Sequence, residues 1–367
     1  MSALLCFLHG FPQPIPLQAR SNMATTVSTA AKAAPPSVTP ERIYQMTWGY
    51  AAPLILEAAV KHRVFDVLDS GPKSLSQISK ETGASERGLA AILNVLAGFE
   101  FLYKNGDEYS LAPESAAFLV STKPSFQGGL LRHVSEQLIP SWLRLNEIVA
   151  TGNPSQAVNQ QSVGAEFFEQ FVNDIFPMSY TSACDLGQYL RLELMDGPVS
   201  VLDLAAGSGV WGIALAQSAA NVRVHAVDWP GVISVTRKNA ARFGFADRFT
   251  FAEGDLQEAD FGKGHHVATL GHILHSEGEA RSRALIEKTF DALAPGGTIA
   301  IAEFLVNPDR TGPINGLIFA VNMLVNTDRG DTFSFEEISS WLSEAGFADC
   351  RTLDSHGPSP LVLANKP

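Results

Sequence analysis

The sequence predicts a two-domain α/β protein, in which a mainly α, winged-helix-like N-terminal domain precedes a doubly wound, Rossmann-like sheet. Beyond residue 199, strand-like segments alternate with amphipathic helical segments, a pattern typical of a mostly parallel sheet covered by helices. A glycine-rich turn joins the first of these strands to a helix. Before residue 123, two short helical segments precede a hairpin signal, which is the order of a winged helix.

Length, charge and cysteine content limit the classes of protein to which the chain can belong. Its 367 residues are enough for two domains, one of them with a full α/β core. A formal net charge of −12 argues against nucleic acid and against an anionic membrane surface as partners. The three cysteines form neither a CxxC pair nor a disulfide framework, so we expect a reducing, cytoplasmic compartment.

Changes in composition along the chain predict four segments. Residues 1–40 contain no Asp or Glu and are rich in Pro, Ser and Ala, which predicts a disordered leader. Residues 41–122 form the winged-helix-like domain, and residues 123–195 form a helical linker. Residues 196–367 form the domain of the doubly wound sheet.

The winged-helix pattern has two interpretations. Ser76 or Ser85 would cap a helix N-terminus, Gly83 would lie in the turn, and Asn105-Gly106 would form the hairpin. A recognition helix for DNA needs a basic exposed face, yet the helix after Ser85 is mostly Leu, Ala, Ile and Val. We therefore favour dimerisation or substrate capping, with DNA binding as the alternative.

The segment VLDLAAGSGVWGIALA, which begins at Val201, joins the first strand of the sheet to a helix. Gly207, Gly209 and Gly212 form the pattern GxGxxG, which by itself fits any dinucleotide-like cofactor or a structural turn. A tight turn between strand and helix also needs glycine for packing alone. Further residues are required to decide between these interpretations.

Acidic residues at three successive strands narrow the choice of cofactor. Asp203 lies within the first strand, Asp228 closes the second, and Asp255 follows the third. Because parallel strands end at one edge of a sheet, we expect these three acceptors along the carboxyl edge. An uncharged adenosine that carries a sulfonium and an ammonium suits this edge better than an anionic pyrophosphate.

The motifs resemble those of a known family. The series VLDLAAGSG, VDWPGVI, GDL, GHILH, LAPGG, AEF and EAGF is similar to that of class I S-adenosylmethionine-dependent methyltransferases. More narrowly, residues 42–366 resemble the small-molecule O-methyltransferases, which include caffeate, flavonoid, acetylserotonin and bacterial antibiotic-pathway enzymes. The resemblance implies a seven-stranded methyltransferase sheet, S-adenosyl-L-methionine as cofactor and a homodimer formed through the N-terminal domain. It also implies that residues 196–367 are the catalytic domain that binds the cofactor, and that residues 123–195 cap the substrate.

The resemblance also implies a set of cofactor-binding residues. The glycine loop would surround the methionine moiety, Asp228 would bind the ribose, and Asp255 with Leu256 would flank the adenine. Met178 resembles a methionine that packs near the reactive methyl group. The full predicted set is Asp203, Gly207, Gly209, Asp228, Trp229, Gly254, Asp255, Leu256 and Met178.

Two residues carry the chemistry that the resemblance implies. His275 matches the general base of the family, and Glu303 matches the glutamate that orients it. An imidazole suits this task because its ordinary pKa of ~6.5 lets it accept a phenolic or enolic proton near neutrality. The resulting oxyanion would attack the sulfonium methyl group in line.

The sequence departs from the family pattern at five positions. Ser276 stands where the plant enzymes have Asp after the base, and Thr332 stands where they have a second orienting glutamate. Gly271 replaces a lysine that helps to hold the cofactor. Ala205 and Ala206 replace two glycines of the loop. Of the two glutamates that orient the histidine in the plant enzymes, this sequence therefore retains only Glu303.

The predicted acceptor is a small, hydrophobic aromatic or polyketide-like molecule bound in a pocket between the domains. The predicted acceptor-binding residues are Phe168, His272, Phe319, Asn322, Met323 and Asn326. His272 and His275 together suggest a metal. On a strand, however, a separation of three residues points two side chains to opposite faces, so we predict no metal site.

Three other functions remain open at this point. GxGxxG also fits a nicotinamide-dependent dehydrogenase, although the in-strand Asp203 argues against it. The missing second glutamate leaves room for methyl transfer to carbon, nitrogen or sulfur. A winged-helix regulator would retain the methyltransferase fold as a ligand-binding module without catalysis.

Overall fold

The computed structural model describes residues 38–367, apart from six side chains within residues 161–174. The predicted leader therefore lies outside the described residues, except for residues 38–40. The described chain divides into two compact units at Leu131 and Arg132. Each unit has a hydrophobic core of its own.

The first unit is mainly helical. Its helices are α1 (Glu41–Met46), α2 (Ala51–Lys61), α3 (Val64–Leu68), α4 (Leu75–Thr82), α5 (Glu86–Gly98) and α6 (Pro113–Phe118), with α7 (Gly128–His133) at the boundary. Its strands are β1 (Lys73–Ser74), β2 (Leu102–Asn105) and β3 (Glu108–Leu111). They form a small antiparallel sheet in the order β1-β3-β2.

The order of α4, α5 and the β2–β3 hairpin confirms the winged-helix pattern. Gly83 ends α4 in a left-handed conformation, and Ser85 caps α5 by accepting the amide N–H of Gly88. The prediction for Ser76 was wrong, because Ser74 caps α4 instead. Ser74 and Gln77 form a capping box, in which each side chain accepts from the backbone of the other residue.

The apolar residues of α5 supply the core of the first unit. Leu89, Leu93 and Leu96 recur at helical spacing and are almost completely buried, together with Ile78 of α4. Much of the apolar composition that argued against a DNA-recognition helix is therefore used within the unit.

A series of helices connects the two sheets. They are a π-helix (Val134–Leu138), α8 (Ile139–Trp142), α9 (Leu145–Thr151), α10 (Gln161–Asp174), α11 (Phe176–Leu190) and a 3₁₀ turn (Leu192–Leu194). Of these, α11 packs on the first helix after the glycine loop, and α10 packs on the second. Within residues 38–367, no helix combines the length and the apolar character that crossing a bilayer requires.

The second unit contains the large sheet. Its strands are β4 (Val199–Leu204), β5 (Val222–Asp228), β6 (Phe249–Glu253), β7 (His265–Gly271), β8 (Leu293–Ala302), β9 (Ala348–Leu353) and β10 (Leu361–Asn365). The helices between them are α12 (Val210–Ser218), α13 (Pro230–Arg242), α14 (Leu274–Ala292), α15 (Ile314–Asn326) and α16 (Phe335–Glu344), with a short 3₁₀ turn at Ala246–Arg248.

The seven strands have the order β6-β5-β4-β7-β8-β10-β9, which confirms the doubly wound fold. The first five in this order are parallel, and β10 is antiparallel to both of its neighbours. The chain order reverses between β4 and β7, and ligands bind at such a switch point outside the carboxyl ends of the strands. The residue pattern alone does not predict β9, because this edge strand is polar and largely exposed.

The glycine loop brings α12 very close to the sheet. Gly209 caps the helix with φ 77°, where a side chain would be strained. A Cβ at Gly212 would approach Val224 to 2.7 Å and the carboxylate of Asp203 to 2.9 Å. Gly212 is therefore required for close packing between helix and strand, which is the structural part of the GxGxxG pattern.

Ala205 adopts a left-handed conformation with φ 50°, at a loop position where the family has glycine. Ala206 is buried and does not share this conformation. A left-handed backbone costs a residue with a Cβ roughly 1–2 kcal/mol. The two alanines therefore differ in conformational strain, although they are neighbours.

This difference gives a stability test of the loop. We expect Ala205→Gly to raise the free energy of unfolding by about 1 kcal/mol, because it removes the strain. The matched control Ala206→Gly should lower it by about 1 kcal/mol, since it adds freedom to the unfolded chain. Chemical denaturation of both variants measures the difference, and equal destabilisation by the two substitutions would contradict the strain at Ala205.

Candidate active site

Asp203 lies in the middle of the sheet and is completely buried. One carboxylate oxygen accepts the hydroxyl of Thr269 on β7 at 2.7 Å, and the other accepts the amide N–H of Gly212 at 2.9 Å. Burial raises the pKa of this carboxyl to about 7 in spite of both hydrogen bonds. Asp203 therefore ties the start of α12 to β7.

Asp228 ends β5 at the carboxyl edge, as predicted for the acid that binds the ribose. Its two oxygens accept the amide N–H groups of Trp229 at 2.7 Å and of Gly207 at 2.9 Å. Burial raises the pKa of Asp228 to about 6. Each oxygen retains acceptor capacity, so the group fits a ligand that supplies two hydroxyl donors.

Asp255 follows β6 at the same edge, but its carboxylate is already engaged. Arg281 on α14 donates from Nη2 to both oxygens of Asp255 at 3.0 Å, and its Nε donates to Glu277 at 2.6 Å. Burial raises the pKa of Glu277 against the effect of Arg281. The sequence analysis missed Arg281 and Glu277, which connect the predicted adenine side to the helix that carries His275.

Of the remaining predicted cofactor residues, Gly254 and Leu256 follow β6 at the carboxyl edge, whereas Met178 lies on a helix outside the sheet. The amide of Gly254 donates to the carbonyl of Asp228 at 3.0 Å, which holds the turn after β6. Leu256 is buried in the core of the second unit. Met178 lies in the first turn of α11, near Gly357 in the turn between β9 and β10.

Phe168 packs against the start of α13 in the second unit. Its ring is 6.0 Å from that of Trp229 and packs with Val172, Val232 and Val235. The contacts of Phe168 therefore join it to a predicted cofactor residue rather than to the other predicted acceptor residues.

His275 and Glu303 form a buried pair. Glu303 follows β8 directly, and its Oε2 lies 2.7 Å from Nδ1 of His275. Its other oxygen accepts the backbone N–H of His275 at 3.2 Å. Burial alone would raise the pKa of Glu303, but His275 outweighs this effect and holds that pKa below its ordinary value.

The backbone around His275 is fixed from a second side. The carbonyl of His275 accepts the amide N–H of Asp331 at 2.9 Å. Gly278 breaks the helix with φ 74°, and a Cβ there would collide with the carbonyl of Arg329. A Cβ at Gly330 would collide with the carbonyl of His275 itself. The loop that contains Arg329–Asp331 therefore packs directly on the first turn of α14.

The expectation that His272 and His275 point to opposite faces was wrong. The strand ends at Gly271, His272 turns with φ 61°, and α14 begins at Leu274. The two imidazole rings are consequently 6.4 Å apart. Nδ1 of His272 is enclosed without a hydrogen-bond partner in the described residues, and burial lowers the pKa of His272 to about 4.

His272, His275 and Glu303 are also close enough to be considered as metal ligands. Their nearest ligand atoms all lie within 4.8 Å of one another. A zinc site holds its ligand atoms at about 2.0–2.2 Å from the ion, which requires a tighter group. In addition, Nδ1 of His275 and Oε2 of Glu303 already bind each other.

Aromatic rings surround the His275–Glu303 pair. The ring of Phe319 is 4.9 Å from that of His275, in an edge-on arrangement. Phe304, which the sequence analysis missed, is 4.3 Å from Phe319 and 5.0 Å from His272. The signal in the sequence that could have pointed to Phe304 is its position directly after Glu303.

The other predicted acceptor residues lie on α15, but they are not free. Oδ1 of Asn322 accepts from Nε1 of Trp142 at 2.9 Å and from Nδ2 of Asn326 at 3.0 Å. Met323 and Asn326 are buried. Asn322 and Asn326 therefore orient each other and Trp142.

Thr332 forms no hydrogen bond with His275 in the described part of the chain. It is buried, and its hydroxyl donates to the carbonyl of Gly316 at 3.3 Å. Asp331 contacts His275 only through its backbone N–H. In the described residues, the carboxylate that orients His275 is therefore that of Glu303, through its two hydrogen bonds.

Comparison with protein families agrees with this geometry. The model of the O-methyltransferase domain matches residues 142–348, and the model of the O-methyltransferase dimerisation domain matches residues 44–121. Together they span both units. The chain belongs to the O-methyltransferase family.

Similar proteins cover nearly the whole chain. A 3-hydroxy-5-methyl-1-naphthoate 3-O-methyltransferase of Streptomyces sahachiroi is 28% identical over 83% of this chain and 88% of its own length. The tetracenomycin polyketide synthesis 8-O-methyl transferase of Streptomyces glaucescens is 29% identical over 89% and 97%, respectively. The structure of human N-acetylserotonin methyltransferase in complex with SAM shares the fold, with a TM-score of 0.77, 22% identity and 91% and 99% coverage.

The family membership confirms that this O-methyltransferase uses S-adenosylmethionine to methylate oxygen on a small molecule. The match to the O-methyltransferase domain also argues against a nicotinamide-dependent dehydrogenase and supports oxygen, rather than carbon, nitrogen or sulfur, as the acceptor atom. The acceptors at the carboxyl edge fit the cofactor, because Asp228 presents two partly engaged oxygens where a ribose supplies two hydroxyl donors. The individual cofactor-binding residues remain predictions.

The raised pKa of Asp228 predicts the pH dependence of cofactor binding. In the free protein the carboxyl is protonated below about pH 6, and the ionised form is the better acceptor for ribose hydroxyls. We therefore expect affinity for S-adenosylhomocysteine to rise as the pH increases through about 6. Isothermal titration calorimetry between pH 5 and 8 measures this change.

Two asparagine variants separate this effect from a general loss of charge. Asp228→Asn should weaken binding and remove the step near pH 6. The control Asp309→Asn replaces an exposed carboxyl whose pKa is lowered by Thr311, so it should leave the profile unchanged. A step near pH 6 that persists in Asp228→Asn would assign the titration to another group.

Proposed function

We propose that this enzyme methylates a hydroxyl group on a small aromatic or polyketide-like molecule, with His275 as the general base. The observation that carries this proposal is the buried pair formed by His275 and Glu303 at 2.7 Å. It follows the ends of two adjacent strands, since Gly271 of β7 pairs with Ala302 of β8.

Glu303 selects the tautomer that a base needs. An ionised carboxylate only accepts hydrogen bonds, so the proton of the imidazole stays on Nδ1 of His275 and is donated in a hydrogen bond to Glu303. The other ring nitrogen, Nε2, then carries a lone pair. Nε2 has no partner in the described residues and is not among their enclosed unpartnered atoms, so it is open to a ligand.

In the proposed reaction, Nε2 of His275 takes the proton of the acceptor hydroxyl as the oxygen attacks. S-adenosylmethionine supplies an electrophilic methyl group when it is bound. The imidazolium that forms is stabilised by the carboxylate of Glu303, which remains ionised because its pKa is low. The rest of the acceleration comes from holding the two reactants together.

A single carboxylate does the work that two share in the plant enzymes. Glu303 holds both the ring and the backbone N–H of His275, while the loop at Asp331 holds its carbonyl. These three contacts fix the residue at the start of α14. The absence of a second glutamate at Thr332 therefore leaves His275 oriented.

An aromatic acceptor is supported by the rings beside the base. The rings of Phe304 and Phe319 lie 4.3 Å apart. The ring of His275 is 4.9 Å from that of Phe319 and 6.4 Å from that of Phe304. Flat hydrophobic molecules bind in pockets lined by such rings and by a few polar groups. The two Streptomyces relatives are named for a naphthoate and for a polyketide pathway, which supports the same class of acceptor.

His272 is the polar residue that we place against the acceptor, together with Asn322, Met323 and Asn326 on α15. Its imidazole is neutral at neutral pH, because burial lowers its pKa to about 4. A strained backbone and an unpartnered buried nitrogen are costs that are usual at functional sites.

Substitutions at the pair test the base mechanism. We expect His275→Ala to lower kcat by about 10²–10⁴-fold, with unchanged affinity for S-adenosylhomocysteine. Glu303→Gln should also lower kcat, since it no longer stabilises the imidazolium. Steady-state kinetics with a turned-over phenol, combined with calorimetry, measure both effects.

The matched control uses a second histidine–carboxylate pair in the same unit. His356 and Asp185 lie 3.1 Å apart, and the side chain of His356 is 65% exposed. His356→Ala and Asp185→Asn should leave kcat unchanged. If His275→Ala has full activity, proximity alone drives the transfer and the proposed base is wrong.

We also propose that the first unit forms a homodimer. Residues 38–50 are exposed throughout, although they include Ile43, Tyr44, Trp48 and Tyr50. Exposed apolar residues in one continuous segment mark an interaction surface. The match to the dimerisation domain begins at Tyr44 and supports a second copy as the partner.

Mutation of this segment tests the dimer. We expect Trp48→Glu to shift the mass in solution from a dimer towards a monomer, because it places a charge in an apolar interface. Light scattering after size-exclusion chromatography measures the mass. Leu194→Glu serves as the control, since Leu194 is 65% exposed but lies in the second unit. A monomeric wild-type protein would contradict the proposal.

A further inference from the structure

The indole ring of Trp211 occupies an unusual place at the carboxyl edge of the sheet. Trp211 is the second residue of α12 and only 4% of its surface is exposed. A Cβ at Gly271, the last residue of β7, would collide with Nε1, Cδ1 and Cε2 of this indole. The nitrogen-bearing edge of the ring therefore lies directly on the end of β7.

The buried carboxylate of Asp203 fixes this arrangement. It accepts the amide N–H of Gly212, which belongs to the peptide bond that follows Trp211, and the hydroxyl of Thr269. Thr269 lies two residues before Gly271, on the same face of β7. The two hydrogen bonds to Asp203 hold α12 against β7 and thus place the indole over Gly271.

The indole N–H is left without an acceptor in residues 38–367. It is also open to a ligand, because the enclosed polar side-chain atoms without a partner in those residues are Asn221 Oδ1, His272 Nδ1 and Ser359 Oγ. An indole nitrogen can only donate, so an occupant of this space has to supply an acceptor. The space lies between β4 and β7, where the order of the sheet reverses.

We propose that Trp211 is a cofactor-binding residue, whose indole N–H donates a hydrogen bond to the carboxylate of the methionine moiety. Two observations favour this acceptor. Trp211 lies two residues after Gly209, in the first turn of the helix that follows the loop expected to surround that moiety, and a carboxylate is the strongest acceptor that the cofactor carries. Gly271 is then required to be small, because any side chain there would displace the ring.

The proposal explains the departure at Gly271 in this chain. Where related plant enzymes have a lysine at this position, Trp211 reaches the same space from α12. The donor therefore comes from the helix instead of the strand. This inference concerns cofactor binding only and does not depend on His275 as the base.

Two ligands distinguish the carboxylate contact from simple packing. S-adenosylhomocysteine carries the carboxylate, whereas 5′-methylthioadenosine has the adenosine and sulfur but lacks the amino acid end. In wild-type protein labelled with ¹⁵N-tryptophan, S-adenosylhomocysteine should shift the Trp211 indole resonance downfield. Methylthioadenosine should leave that resonance near its free position. An indole resonance that does not move with S-adenosylhomocysteine would overturn the proposal.

Substitution gives a second measurement. Trp211→Phe should weaken binding of S-adenosylhomocysteine by about 10- to 100-fold and leave binding of methylthioadenosine unchanged, as expected for one charge-assisted hydrogen bond. Equal weakening of both ligands would reduce Trp211 to a packing role and overturn the carboxylate contact. Trp341→Phe is the control, because Trp341 is also 4% exposed but packs against Phe333 in the core. It should change the melting temperature without changing either affinity.

Discussion

The carboxylate of Asp203 is the interaction on which the cofactor edge depends. It lies within β4 and accepts hydrogen bonds from α12 and from β7, so three elements share one buried group. An enclosed carboxyl without such donors would cost several kcal/mol, which makes the positions of both donors strict. The close packing of Gly212 against the sheet and the position of the Trp211 indole both follow from these two hydrogen bonds.

A second constraint brings His275 and Glu303 together. The strands β7 and β8 are paired so that Gly271 lies opposite Ala302. Both strands therefore end at the same level of the sheet. The residues that follow them, His272 and Glu303, are neighbours for that reason. The left-handed turn at His272 then carries the chain into α14 quickly enough for His275 to meet the carboxylate.

The sequence is sufficient for features that depend on local chemistry. The glycine loop, the acid within β4 at Asp203, the strand end at Asp228, the hairpin and the cap at Ser85 each leave a signal within a few residues. The family resemblance supplied the cofactor and the pairing of His275 with Glu303. These two are 28 residues apart in the chain, and no short-range pattern connects them.

Other features were missed because they depend on contacts between distant elements. Arg281 looks like an ordinary helix charge until Asp255 is placed beside it. In the sequence, Gly271 indicates only that a lysine is absent. The ring that occupies the space of its missing side chain belongs to Trp211, which lies in another element. The sequence predicts a strand at His272, where the chain in fact turns, because the apolar run continues through Ile273 and Leu274.

The two-point contact of Glu303 has a consequence for how this enzyme can diverge. With the ring and the backbone N–H of His275 held by one side chain, the acid that other members place near Thr332 is free to change. That region borders α15, which carries Phe319 and Met323. If α15 borders the acceptor as we propose, substitutions there can adapt the chain to new acceptors while the His275–Glu303 pair is inherited unaltered. Catalytic machinery and molecular recognition thereby become separable under selection.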